Sequence, residues 1–424
     1  MMKNMNRKSC ISVLAYSVFI IFACVPFASA NTDTILPFKV KAKAAVLINV
    51  NSGQVIYAQN ADAPIPPASL TKLMTLNLAF DSADDAYISL DDDVRVSEKA
   101  WKTKGSRMFL EVGKTVPLEI MLKGIAVVSA NDACVAVSEH ISGVEEVFVE
   151  RMNEKADLIG MDSSLFMNSH GLPVEGQITT ARDIATLSVY YIKHHPEVLK
   201  YHSIKKMTFN KITQPNRNGL LWLDYGVDGL KTGWFSKAGF HIVATAQKGV
   251  DRFVAVVMGS KGERERENIA LKLLNYGFRN FNTVKVINAD EKIAEVPVWK
   301  GADSEVQLGT IKTASVTVPR EAKGDIQINK EFPDRIFAPV EKGQIIGEVK
   351  VLLNGMEIET YPLVALNEIK KAGFFKLMYH NLLLLFILPP YWGGIILVLI
   401  LVIFLILVKS VMRVRGKDQL SGLR

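Results

Sequence analysis

PIPPASLTKLMTLNLAF, residues 64–80, holds two readings at once. Three prolines lead into Ser69, and Leu70, Leu73, Met74, Leu76 and Leu78 follow. Those apolar residues crowd more of the surface than one stripe, so a buried helix is expected rather than a surface one. Ser is a favoured N-cap and Pro sits readily just ahead of a helix, which places Ser69 at the helix start. On a helix, residues i and i+3 share a face, so Lys72 can lie beside the Ser69 hydroxyl. The same Ser-x-x-Lys spacing recurs at Ser203–Lys206 (SIKK), so the four letters alone decide nothing.

Working outward, AVLINVNSGQVIYAQ (45–59) reads as two short strands around Asn51-Ser52-Gly53. Residues 117–200 carry helical spacing in LEIMLKGIAVVS, ANDACVAVSEHI, VEEVFVERMNEKADLIG and TARDIATLSVYYIKHH. Strands return at 228–259 in VDGLKTGWF, HIVATAQ and FVAVVMG, and NIALKLLNYGF reads as a helix ending at Gly277. Strands flanking a helical block predict one α+β domain over 31–285. After 286, runs such as EVQLGTIKTASVTVP and IIGEVKVLL are short and β-like, predicting a separate small all-β domain over 286–368.

The ends of the 424-residue chain differ from its body. Lys3, Arg7 and Lys8, the apolar ISVLAYSVFIIFACV and Ala28-Ser29-Ala30 read as a signal peptide over 1–30. An uncleaved anchor, or a lipid-bearing Cys24, are the other readings of that stretch. Of three cysteines, Cys10 and Cys24 leave with the leader; Cys134, inside the apolar ACVAV, is expected as a core residue with no disulfide. Leu382–Val408 holds no charge. Tyr391–Val408 would span about 27 Å as a helix, enough for a transmembrane crossing. Residues 369–390 read as an interfacial segment and 409–424 as a cytoplasmic basic tail. The formal charge of +7 sits mainly on these two ends, so the near-neutral body argues against a nucleic-acid partner.

Three short patterns follow in order: Ser69-Leu70-Thr71-Lys72, Ser129-Ala130-Asn131 and Lys231-Thr232-Gly233. A hydroxyl is a weak nucleophile and needs an adjacent base, while lysine at its ordinary value of about 10.4 is a poor one. Burial and a second cation disfavour its charged form, and Lys231 could be that cation. Ser129 could pass a proton to a leaving amine, and Asn131 could position a substrate amide or the Lys72 ammonium. A strand bearing Lys231 and Thr232 can pair with an extended peptide and attract a terminal carboxylate. Gly233 leaves room for close backbone approach. The backbone N–H groups of Ser69 and Trp234 could form an oxyanion hole. There is no H-E-x-x-H, no G-x-S-x-G elbow and no phosphate-binding glycine loop, so neither metal nor cofactor is expected. His140, His170 and His241 read as structural or surface residues.

With those patterns, NRNGLLWLDYGVDGLKTG (216–233), KAGFHIVATA (237–246), ENIALKLLNYGF (267–278), APVEKGQIIGEV and YPLVAL complete a resemblance. Over about residues 35–370 the chain resembles the low-molecular-mass penicillin-binding proteins that act as D-alanyl-D-alanine carboxypeptidases. The resemblance implies a penicillin-binding/β-lactamase-like serine transpeptidase fold: an antiparallel sheet with a helical block, followed by a small all-β sandwich. It implies Ser69 as acyl-forming nucleophile, Lys72 as general base, Ser129 and Asn131 as second element, and Lys231, Thr232 and Gly233 as third. Arg217 would help hold the substrate carboxylate. The implied partners are peptidoglycan stem peptides, with β-lactams as covalent inhibitors acylating Ser69. Ala130 stands where many members have Gly, and members commonly end in an amphipathic helix rather than an apolar run of spanning length. Three rival readings stand beside this one: a serine β-lactamase, a non-enzymatic cell-wall binding protein, and an endopeptidase on cross-links. The E-x-x-L-N pattern of one lactamase class is absent between Ser129 and Lys231.

Overall fold

β1 (Ala44–Asn49) and β2 (Val55–Gln59) pair as the expected hairpin, its turn held where Asn49 Oδ1 accepts from the amides of Asn51 and Ser52. All of β1 is buried. Ala44, Val46 and Ile48 join the helical core, while Leu47 points to the other face. The computed structural model describes residues 37–322 and 326–378, with scattered helical residues from 398 to 409. The chain divides into Met1–Phe38, of which Pro37 and Phe38 are described, and Lys39–Arg424.

Ser69 does not open an α-helix. Ala68–Thr71 form one 3₁₀ turn with no side-chain cap, and α1 (Lys72–Asp84) follows directly. In a 3₁₀ turn residues i and i+3 eclipse, which aligns Ser69 with Lys72 more closely than an α-turn would. Leu70, Leu73, Met74 and Leu76 are all essentially unexposed, and each such burial stabilises by about 1.5–3 kcal/mol. α1 is therefore fixed from nearly every side.

Around it pack α3 (Leu118–Val127), α4 (Asn131–Ser142), α5 (Glu145–Leu158) and α6 (Ala181–His194); β3 (Asp93–Arg95) and α2 (Glu98–Lys102) pack on α4, and β4 (Thr115–Pro117) packs on α3. α7 (Leu199–His202) leads into a hairpin, β5 (Lys206–Phe209) and β6 (Ile212–Pro215), that the sequence reading did not anticipate. Ser203 and Lys206 lie at this junction, where Ser203 Oγ donates to the Lys200 carbonyl; the second Ser-x-x-Lys opens no buried helix.

β7 (Val227–Phe235), β8 (Gly239–Lys248) and β9 (Asp251–Ser260) form the expected meander and complete one antiparallel sheet, ordered β2-β1-β9-β8-β7. β7 is its edge. α8 (Glu263–Asn280) covers the face away from the helical block. It does not stop at Gly277. That residue lies inside the helix because Leu47 and Phe253 press against it, and an added Cβ would meet their atoms at 3.1–3.2 Å.

β10 (Phe281–Ile287) runs across the boundary expected at 285/286 and pairs with β13 (Ala314–Pro319). The remaining strands are β11 (Ala294–Trp299), β12 (Glu305–Gly309), β14 (Ile326–Glu331), β15 (Ile336–Phe337), β16 (Ile345–Leu353) and β17 (Met356–Ala365). They form a six-stranded sheet, ordered β14-β16-β17-β12-β11-β15. Val316 and Val318 of β13 pack with Val351 of β16, joining the two sheets. The signal peptide read at 1–30 lies outside the described residues, as do most of the 391–408 span and nearly all of the basic tail. Among the described residues no helix is long and apolar enough to cross a membrane.

Replacing Gly277 by Leu would force a side chain between α8 and the sheet. We expect a loss of about 1–3 kcal/mol in equilibrium denaturation, because the contact has no slack.

Candidate active site

The three sequence patterns meet where the 3₁₀ turn, the α3–α4 junction and β7 converge. Ser69, Ser129, Asn131, Arg217, Thr232, Gly233 and Trp234 all line one cleft of about 560 Å³. Lys72 and Lys231 are buried and do not line it.

Lys72 Nζ donates to Ser69 Oγ at 3.2 Å and also to the His170 carbonyl. Burial lowers its pKa to about 8, and the nearby Arg217 guanidinium adds to the effect. At pH 8 about half of such a lysine is neutral, against well under about one in a hundred for an ordinary one. Lys231 donates to the Thr232 carbonyl at 3.0 Å. Burial also holds Lys231 well below its ordinary value, and the Lys72 charge adds to this. The sequence reading gave Lys231 the part of lowering Lys72. For both lysines burial, which the sequence reading named beside the second cation, is the first cause. Cys134, on α4 beneath them, is pushed up to about 12 by burial, so it stays a thiol and adds no charge at neutral pH.

Two backbone strains shape the site. Ala68 has φ +49° and Ser129 φ +63°, a region where a non-glycine residue costs about 1–3 kcal/mol. The Ser129 hydroxyl is buried and has no hydrogen-bond partner among the described residues. It stands at the cleft as an unspent donor and acceptor. Asn131 opens α4, and its Nδ2 donates to the Lys104 carbonyl at 2.7 Å, so its side chain braces the cleft wall.

Close approach explains the glycines. A Cβ on Gly233 would lie 3.3 Å from Ser69 N and 3.4 Å from Ala68 Cβ, so β7 packs directly on the 3₁₀ turn. Gly171 has φ +83° and faces the Ala68 carbonyl, where a Cβ would collide at 1.9 Å. Trp234 is 59% exposed at the rim, its ring 5.9 Å from that of Phe240.

Four further residues belong to the site. Arg266 of α8 is 2% exposed and donates to the Arg217 carbonyl at 3.2 Å and the Gly233 carbonyl at 3.5 Å. Its signal was legible: it occupies the same helical stripe as Ile269 and Leu273, an unusual place for a charge. Asp132 accepts from the amides of Met108 and Leu110, both at 3.1 Å, fixing the wall opposite β7. His170 lines the cleft, but burial pushes its imidazole down to about 4, so it is neutral near pH 7. Its carbonyl, not its ring, reaches Lys72. Glu145, buried on α5, accepts from both the amide and hydroxyl of Ser169. Neither His170 nor Glu145 stands in a pattern that a linear reading detects. His241 is structural, its ring bonded to the Pro66 carbonyl and the Gly259 amide. His140 pairs with Asp92. Among the described residues no group of three or more His, Cys, Asp or Glu could hold a metal ion.

Comparison with known proteins gives consistent matches. A family model described as D-alanyl-D-alanine carboxypeptidase matches residues 29–262, and one described as the C-terminal domain of penicillin-binding protein 5 matches 281–371. The D-alanyl-D-alanine carboxypeptidase DacC of Escherichia coli is 39% identical over 370 residues, 85% of this chain and 92% of that protein. Penicillin binding protein 5 from Haemophilus influenzae superposes with a TM-score of 0.73 at 38% identity, over 80% of this chain and 100% of that one. Penicillin-binding protein D2 from Listeria monocytogenes, in the ampicillin-bound form, matches at TM-score 0.50 and 32% identity, over 57% of this chain and 98% of that one.

Removing the Asp132 carboxylate with Asp132→Ala would leave two buried amides without partners. We expect a loss of about 2–4 kcal/mol in urea denaturation, more than a surface carboxylate would give.

Proposed function

This chain belongs to the D-alanyl-D-alanine carboxypeptidase family of penicillin-binding proteins, and from that premise we propose that its serine-hydrolase chemistry runs through Ser69. The observation that carries this is the 3.2 Å bond between Ser69 Oγ and a buried Lys72 whose pKa is about 8. Neutral Lys72 takes the Ser69 proton as Oγ attacks the carbonyl of the terminal D-Ala-D-Ala bond. The Ser69 and Trp234 amides hold the oxyanion, as close packing of Gly233 on the 3₁₀ turn favours. Ser129, with its unpartnered hydroxyl, passes a proton to the leaving amine, and D-alanine departs. Water then attacks the acyl-enzyme and restores Ser69.

β7, the sheet edge, receives the stem peptide as an added strand. Thr232 and Arg217, with Asn131 across the cleft, hold the substrate amide and terminal carboxylate, and Lys231, buried behind the cleft wall, attracts that carboxylate without touching it. By likeness to the ampicillin-bound relative, β-lactams acylate Ser69 and stay attached. The role is peptidoglycan synthesis and remodelling, with effects on cell shape. The domain division 31–285 and 286–368 makes the second part a spacer between cleft and membrane. The body is exported behind the leader at 1–30 and held at the membrane by 391–408, with 409–424 in the cytoplasm.

Three measurements test this. Incubated with fluorescent penicillin and with a pentapeptide ending in D-Ala-D-Ala, the wild-type ectodomain labels and releases D-alanine, and Ser69→Ala does neither. Label on Ser69→Ala would remove Ser69 from the mechanism; label without D-alanine release would favour a binding protein; rapid loss of label would favour a lactamase. Because the base must be neutral, the acylation rate should fall about tenfold per pH unit below a midpoint near 8 and level off above it. A rate still climbing steeply beyond pH 9.5 would contradict a lowered Lys72. In membrane fractionation, the full chain should sediment with membranes and a chain ending at residue 373 should not.

A further inference from the structure

Glu145 and Glu146 both stand in the first turn of α5, where the helix dipole favours acidic residues. Only one of them needs that explanation alone. The Glu146 side chain is 73% exposed, whereas that of Glu145 is 8% exposed and fully engaged. Its Oε1 accepts from Ser169 N at 3.0 Å and Ser169 Oγ at 2.7 Å. Its Oε2 meets Lys99 Nζ, from α2, at 3.1 Å. The neutral His170 ring approaches with Nε2 at 3.7 Å. Burying a carboxylate costs several kcal/mol unless such partners replace its water. Burial raises the Glu145 carboxyl, but the Ser169 bonds and Lys99 outweigh it, so it stays ionised.

The peptide segment that Glu145 grips has its other side on α1. The Ser169 carbonyl accepts from Thr75 Oγ1, and the next carbonyl, that of His170, accepts from Lys72 Nζ. Gly171 then packs against the Ala68 carbonyl, one residue before Ser69. One short segment is thus clasped between α5 and the turn that carries Ser69 and Lys72. Glu145 does not line the cleft, so it touches no substrate.

We propose that Glu145 is a positioning residue: through Ser169 it fixes the His170 carbonyl that receives Lys72, and so holds Lys72 Nζ in line with Ser69 Oγ. This rests on the reading of Ser69 and Lys72 given above. The other groups around Lys72 are Asp132 and Cys134 of α4, Lys231 of β7 and Arg217, and the Ser169 hydrogen bonds go instead to Glu145 and Thr75. Freeing the segment would let water reach Lys72, whose lowered value comes mainly from burial, and its titration would move up.

The test follows penicillin acylation against pH in the full-length protein, with rates taken per titratable site so that misfolded molecules do not count. Glu145→Ala loses both Ser169 bonds and should slow acylation at pH 7 by about 30- to 100-fold, with its midpoint shifted to higher pH. Glu145→Gln keeps an oxygen acceptor and should restore the rate to within about fivefold, with the midpoint in place. Ser169→Ala, which removes one bond, should slow acylation by about tenfold. A Glu145→Ala rate within about threefold of wild type at an unmoved midpoint would overturn the proposal, as would equal defects in the Gln and Ala variants. If Glu145→Ala yields no titratable protein, a wild-type rate and midpoint in Ser169→Ala would overturn it instead. Ser69→Ala runs alongside: label on that variant would indict the nucleophile rather than Glu145.

Discussion

Lys72 reaches both the Ser69 hydroxyl and the His170 carbonyl from a place with no access to water. An ammonium there gives up its hydration and gains only two oxygens in return, so its neutral form is favoured. Everything else in the domain bears on keeping that place dry and that geometry fixed. α1 supplies the dryness, because Leu70, Leu73, Met74 and Leu76 anchor it in the largest core. The apolar run of 64–80 and the lowered Lys72 are therefore one arrangement: the helix is buried, and its first residue is a lysine without water beside the Ser69 hydroxyl.

Geometry comes from three backbone segments pressed together. β7 lies on the 3₁₀ turn at Gly233, the 168–172 segment lies on it at Gly171, and the α3–α4 junction carries Ser129 in a left-handed conformation. At Gly233 and Gly171 no side chain of either glycine stands between the segments, so small displacements there transmit directly to the turn that carries Ser69. Asp132 and Glu145 stand behind them and hold amides, and Arg266, at the cleft wall, holds the Gly233 and Arg217 carbonyls. Strain at Ala68 and Ser129 persists because this packing over-determines the backbone.

Much of this was legible in the chain. The buried helix, the first hairpin, the three-strand meander and the β-rich end all follow from apolar spacing and turn residues. Family membership was legible too, from the order of three patterns and the stretches around them. Where the reading slipped, tertiary packing had overridden a local rule. Ser69 was expected to cap a helix, but the 3₁₀ turn places it inside the turn instead. Gly277 was expected to end α8, but Leu47 and Phe253 need a residue without a side chain there, and the helix continues to Asn280. The β5–β6 hairpin was missed; its residues are largely exposed or half-buried and carry little apolar alternation.

The sequence by itself determined which residue types are present and in what order, because a serine, a lysine one turn on and a Lys-Thr-Gly strand are local chemistry written in adjacent letters. Only the tertiary structure decided that Lys72 and Lys231 are both buried beside the cleft, and that His170 meets Lys72 through its carbonyl. It also brought in Glu145, which no neighbouring letters announce. The physical reason is that dehydration and close backbone approach are properties of a packed volume, assembled from segments up to 200 residues apart along the chain.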